Sequence, residues 1–96
     1  MSEIRFQTVA VLGAGTMGAG IAQVCAQAGA SVVLQDVDDG AVGKGLERVR
    51  SFLQKGVEKG KVSAEQRDAV LARITTTSDR GGACRGAELV IEAVPE

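Results

Sequence analysis

The sequence contains no histidine, no tryptophan and no tyrosine. The missing histidine matters most, because it removes the side chain that most often serves as a general base. Only two cysteines are present, Cys25 and Cys84, and no C-x-x-C spacing joins them. Neither a disulfide nor a zinc site is suggested. No apolar run reaches membrane-spanning length, and the start of the chain lacks a signal-peptide pattern, so the cytoplasm is the expected compartment. An excess of charge of one sign is lacking too, with 11 Lys+Arg against 12 Asp+Glu. That balance gives no electrostatic case for nucleic acid or an anionic membrane as partner. There is no internal repeat and no low-complexity tract. The 96 residues suffice for one small domain with one core.

What is present is concentrated near the N-terminus. The apolar run Thr8-Val9-Ala10-Val11-Leu12 leads straight into Gly13-Ala14-Gly15-Thr16-Met17-Gly18, a G-x-G-x-x-G turn. An Ala/Ile-rich helical pattern follows, then a second apolar run, Ser31-Val32-Val33-Leu34-Gln35, which stops at Asp36. This order of strand, glycine turn, helix, strand and acid is that of a dinucleotide fold. Each glycine then has a separate task. Gly13 permits a tight turn, Gly15 leaves room for a pyrophosphate, and Gly18 lets the helix pack closely on the first strand. The phosphates would lie against unpaired N–H groups at the start of the helix, which makes Ala14, Thr16 and Met17 candidate contacts beside the three glycines. Asp36 would accept hydrogen bonds from the adenosine ribose and repel a 2′-phosphate. Neither Val37 nor Asp38 supplies a compensating cation, so NAD is expected over NADP. The competing readings are a glycine turn that merely packs and a solvated loop acid at Asp36; the combined spacing favours the ligand.

The remaining pattern completes an α/β plan. Phe6 to Leu12 is the first strand and Thr16 to about Ala28 the first helix, with Ile21, Ala22, Val24, Cys25 and Ala28 on its packing face. Cys25 is read as a small core residue and Cys84, in a glycine-rich segment, as exposed. Ser31 to Gln35 is the second strand. Asp38 or Asp39 caps a second helix with the stripe Val42, Leu46, Val49 and Leu53, whose first turns should fray at Gly40, Gly43 and Gly45. Lys55 to Lys61 reads as a connection. Ser63-Ala64-Glu65-Gln66 matches a capping box that opens a third helix reaching about Arg73. Ile74 to Thr77 is a third strand, Ser78 to Ala87 a loop with at most one helical turn, and Leu89 to Val94 a fourth strand. Right-handed crossovers order the strands 3-2-1-4, the front half of a Rossmann-type parallel sheet with a helical pair between strands two and three. Strand four is then an open edge, so the isolated chain should bury it against a second copy or be marginally stable.

Gly13 to Gln23, the run to Asp36, the helical pair and the ending Ile91-Glu92-Ala93-Val94-Pro95-Glu96 together resemble the L-3-hydroxyacyl-CoA dehydrogenases, 3-hydroxybutyryl-CoA enzymes included. The resemblance covers almost the whole chain. It implies NAD as cofactor, an acyl-CoA substrate, a homo-oligomer, and hydride transfer between NAD and the C3 position of the acyl-CoA. It also implies a longer protein, with this NAD domain followed by a helical dimerisation domain. The family's His–Glu pair and its substrate-orienting Ser and Asn would all fall after Glu96, so residues 1–96 are expected to bind without turnover. By position, the resemblance assigns the Gly13–Gly18 turn to the pyrophosphate, Asp36 to the ribose, Glu96 to the nicotinamide side, and Lys59 to coenzyme A phosphates. Phe52 stands where some members carry a serine. The 3-hydroxyisobutyrate type of dehydrogenase shares the glycine turn but lacks the long helical pair. A methyltransferase, a flavoprotein, and a nucleotide-binding or self-associating module without catalysis also compete with the dehydrogenase reading.

Overall fold

A computed structural model describes residues 7–93 of the chain. In order, the elements are β1 (Thr8–Leu12), α1 (Thr16–Gln27), β2 (Ser31–Gln35), α2 (Asp39–Glu58), α3 (Ala64–Ala72), β3 (Ile74–Thr77), α4 (Arg80–Cys84) and β4 (Leu89–Glu92). The strands form one parallel sheet in the order β3-β2-β1-β4, as the crossover argument requires. Val9 pairs with Val32 and Leu89, and Val32 in turn with Ile74. β1 lies between two neighbours and is apolar throughout its buried length, as expected of a strand covered on both faces. Its Val9 and Val11 join Val32 and Leu34 of β2, Val49 and Leu53 of α2, and Val70 of α3 in one core. The expected first strand included Phe6, and the expected fourth ran to Val94; both residues lie outside the described ones. Gln7 is a bend and Ala93 is already off the sheet.

The face of α1 that packs on the sheet differs from the expected one. Gly18, Ala19, Ala22 and Ala26 are buried. Val24 is 63% exposed, Ala28 is exposed, and Ile21 and Cys25 are half-buried. The smallest side chains face inward because the helix axis lies close to the strands. A Cβ on Gly18 would fall 1.7 Å from the Gly13 carbonyl oxygen. α1 ends at Gln27, and Gly29, just past its Ala28 cap, has a φ of +106° that suits glycine.

α2 is one continuous helix and contradicts two expectations. Its first turns do not fray, because the Asp38 side chain accepts a hydrogen bond from the Ala41 N–H at 2.8 Å and Val42, Gly45, Val49 and Leu53 are buried. Tertiary packing outweighs the propensity cost of its glycines. The helix also takes in Lys55 to Glu58, part of the expected connection. Gly56 explains this: a Cβ there would lie 3.0 Å from Val62 Cγ2, so its bare backbone receives the returning chain. The capping box of α3 is formed, with Gln66 N donating to Ser63 Oγ at 3.0 Å and Ser63 N to Gln66 Oε1 at 2.9 Å. The short α4 is capped by Asp79, and Cys84 at its end is half-buried rather than exposed. No helix among the described residues is long and apolar enough to cross a membrane.

Candidate functional site

The C-terminal ends of β1 and β2 lie side by side, since Leu12 is in register with Gln35. Gly13 leaves β1 with a φ of +106°, and its N–H donates to the Gln35 carbonyl at 2.7 Å. Ala14, the next residue, is held on three sides. Its N–H donates to Asp36 Oδ2 at 2.7 Å, its carbonyl accepts from Arg48 Nη1 at 3.1 Å, and its methyl meets Gly45. A Cβ on Gly45 would lie 2.5 Å from Ala14 Cβ, so α2 reaches the turn only because glycine stands there. The β1–α1 turn is thereby fixed from β2 and from α2.

Gly15 is the N-cap of α1 and supplies no side-chain cap, and the first turn of α1 carries no acid. The first intrahelical bond is Ala19 N to Gly15 O at 2.9 Å. The N–H groups of Thr16, Met17 and Gly18 therefore precede any intrahelical acceptor. Gly15 itself has open space on all sides of its would-be Cβ. The helix opens with donors that lack an intrahelical acceptor, a positive dipole end and no side-chain cap, which fits a phosphate group.

Asp36 closes β2 and is half-buried. Its Oδ1 accepts the Val37 N–H at 2.7 Å while Oδ2 holds Ala14. Each oxygen keeps acceptor capacity, so the carboxylate can still take hydroxyl donors. A hollow of about 360 Å³ lies beside it, lined by Gly15, Asp36, Asp38 and, from α2, Lys44 and Arg48. The residues present thus fit a dinucleotide: a bare cradle for the diphosphate and an oriented carboxylate for a ribose diol.

Of the residues singled out from sequence, Gly13 through Gly18 and Asp36 come together at this point. The Met17 side chain is 68% exposed and lines a separate apolar hollow with Ile21, Val24 and Cys25. Burial pushes the Cys25 thiol up. Lys59 is not brought to this hollow. It caps the far end of α2, about 16 Å beyond Arg48 at 1.5 Å per residue of helix. Phe52 is half-buried against the core. Glu96 lies outside the described residues. Lys44 and Arg48 were missed from sequence; their helical i,i+4 spacing places them on one face, but nothing local shows that this face meets Asp36.

A parallel sheet in the order 3-2-1-4, with an uncapped glycine turn after β1 and a carboxylate after β2, defines the dinucleotide-binding half of a Rossmann-type domain. A family profile described as "3-hydroxyacyl-CoA dehydrogenase, NAD binding domain" matches residues 8–96, and the chain belongs to that family, whose cofactor is NAD. It is 42% identical over 93 residues to 3-hydroxyadipyl-CoA dehydrogenase of Escherichia coli K12, an alignment covering 97% of this chain and 19% of that protein. It is 40% identical over 90 residues to 3-hydroxybutyryl-CoA dehydrogenase of Mycobacterium tuberculosis H37Rv, covering 94% and 31%. The crystal structure of (S)-3-hydroxybutyryl-CoA dehydrogenase from Ralstonia eutropha superposes with a TM-score of 0.90 at 41% identity, covering 95% of this chain and 32% of that one. The chain thus spans a third or less of the length of these relatives.

Proposed function

We propose that this chain seats NAD with its pyrophosphate over Gly13 to Gly18 and its adenosine ribose on Asp36, as the cofactor half of a 3-hydroxyacyl-CoA dehydrogenase. The amides of Thr16, Met17 and Gly18 stabilise the diphosphate. Ala14 holds the turn against Asp36, so the carboxylate is aimed before the ribose arrives. Bound NAD supplies the hydride acceptor. The names of the relatives support a 3-hydroxyacyl-CoA as the substrate oxidised at C3. Glu96 on the nicotinamide side, Lys59 toward coenzyme A phosphates, a following helical domain, a homo-oligomer and a cytoplasmic setting belong to the same proposal and rest on the family resemblance.

The observation that carries the reading is Gly15. Its φ is −71°, which any residue adopts, and no atom crowds its Cβ position. Folding has no need of glycine there, at the mouth of an uncapped helix. A ligand approaching the backbone does need it. Calorimetric titration of NAD into the Gly15→Ala variant tests this. Affinity should fall roughly tenfold or more, equivalent to about 1.4 kcal/mol, with an unchanged melting temperature. Equal NAD affinity in a folded Gly15→Ala protein would refute the placement.

Residues 1–96 contain no histidine. We expect this stretch alone to bind NAD and to give no turnover of acetoacetyl-CoA with NADH, since no imidazole is available to move the hydroxyl proton. Measurable oxidation of NADH by the purified 96-residue chain would show that proton transfer runs through another group.

A further inference from the structure

Arg48 stands midway along α2 and is half-buried. Its Nη1 donates to the Ala14 carbonyl at 3.1 Å, and no carboxylate pairs with it among the described residues. That bond fixes more than Ala14. A trans peptide unit is planar, with its N–H pointing opposite to its C=O, and no described peptide bond is cis. The turn obeys this one peptide earlier. The Ala14 N–H points to Asp36, and the Gly13 carbonyl of the same peptide points the other way, into the space that a Cβ on Gly18 would occupy. By the same geometry, an Ala14 carbonyl held toward α2 turns the Gly15 N–H away from α2. That N–H finds no backbone acceptor among the described residues. The Ala14 carbonyl is also the acceptor four residues before Gly18, the one that would extend α1 backward. The helix instead begins its bonding at Ala19 N to Gly15 O, so the Gly18 N–H is left unclaimed by Ala14.

We propose that Arg48 is a positioning residue for the cofactor: by holding the Ala14 carbonyl toward α2, it aims the Gly15 N–H at the diphosphate and keeps the Gly18 N–H available to it. The proposal rests on the NAD placement above. The glycine that admits the ligand also creates the need for this restraint. Gly15 has open space at its Cβ position, so no side chain resists rotation of the peptide that joins it to Ala14. Asp36 restrains only the peptide before that one. Without the guanidinium, the Ala14 carbonyl is free to turn toward Gly18. The helix then gains a bond, the diphosphate loses two donors, and a carbonyl oxygen faces the anion in their place.

The test is titration of NAD, ADP and adenosine into the unaltered chain and into Arg48→Met, followed by calorimetry and by the NMR signals of the glycine amides. ADP carries the diphosphate and adenosine does not. Circular dichroism establishes that the variant is folded. Arg48→Met should bind NAD and ADP roughly tenfold more weakly, the scale of one charge-assisted hydrogen bond, and adenosine as before. The Gly15 and Gly18 amide protons, which ADP should move downfield in the unaltered chain, should move less in the variant. The deficit should persist in high salt. A deficit that vanishes there would mean that Arg48 acts on the phosphates as a distant, screened charge. Equal losses for ADP and adenosine would mean that it only braces the fold. Either result overturns the proposal, as does unchanged ADP affinity in the folded variant. Should Arg48→Met not fold, Arg48→Gln, whose shorter stem withdraws the donor from Ala14, decides by the same readings. Failure of the unaltered chain to bind NAD or ADP would overturn the NAD placement itself, and this inference with it, a result distinct from a deficit confined to the variant.

Discussion

Glycine at 15 and glycine at 18 answer to different physics, three residues apart. Gly18 is required by the fold, since a Cβ there would overlap the Gly13 carbonyl. We expect Gly18→Ala to destabilise the protein by about 3 kcal/mol or more, the upper range for forced overpacking, and chemical denaturation would show it as a lowered midpoint. Gly15→Ala should leave that midpoint in place and act on NAD alone. A pair of variants with matched stability losses would mean that both glycines serve packing, and the ligand argument at Gly15 would fail. Both positions were legible in the sequence, because the strand before them and the helix after them define the turn. Ala14 was legible as part of the motif. Its three-sided restraint was not, because Asp36, Gly45 and Arg48 reach it from 22, 31 and 34 residues away.

Among the elements, α2 shows most clearly how environment overrides propensity. Gly43 and Gly45 sit two positions apart on the same helix, yet their substitutions should have opposite signs. Gly43 is exposed with nothing near its Cβ position. Gly43→Ala should raise stability by about 0.5–1 kcal/mol, the ordinary helix-interior difference. Gly45 is pressed against Ala14, so Gly45→Ala should lower stability by about 1–3 kcal/mol and loosen the glycine turn. Thermal or urea denaturation of the two variants checks both signs. A helical stripe and an N-cap were readable along α2. Its length was not, since it depends on Val62 packing on Gly56 across a reversal of the chain. The buried face of α1 escaped for a similar reason. Hydrophobicity pointed to Val24 and Cys25, whereas close approach to the sheet selected the glycine and alanine row.

At the scale of the whole molecule, the described residues leave two apolar features open. β4 has one strand neighbour and a 42% exposed Val90, and the outer side of α1 presents Met17 and Val24, 68% and 63% exposed. Edge strands and clustered apolar side chains favour association. The 96-residue chain should therefore self-associate with rising concentration or melt at low temperature. Sedimentation velocity over a concentration series, with a thermal melt, tests this; a monodisperse monomer with a high melting temperature would count against it. In a longer protein, further chain lying on β4 and α1 would remove both features, which accords with relatives of about three or more times this length.

The amino-acid order by itself determined the strand sequence, the glycine turn, the acid that follows β2 and the capping box of α3. These rest on neighbours in the chain: runs of β-branched residues, a bare backbone at a bend, a serine three residues before its glutamine. The handedness of crossovers then allowed one sheet order. Contacts across the fold set which side of α1 is covered, keep α2 helical through its glycines, and bring Lys44 and Arg48 to the hollow that Asp36 lines. Each of those outcomes depends on atoms brought together from distant parts of the chain, and steric fit or charge between such atoms leaves no periodic trace along the sequence.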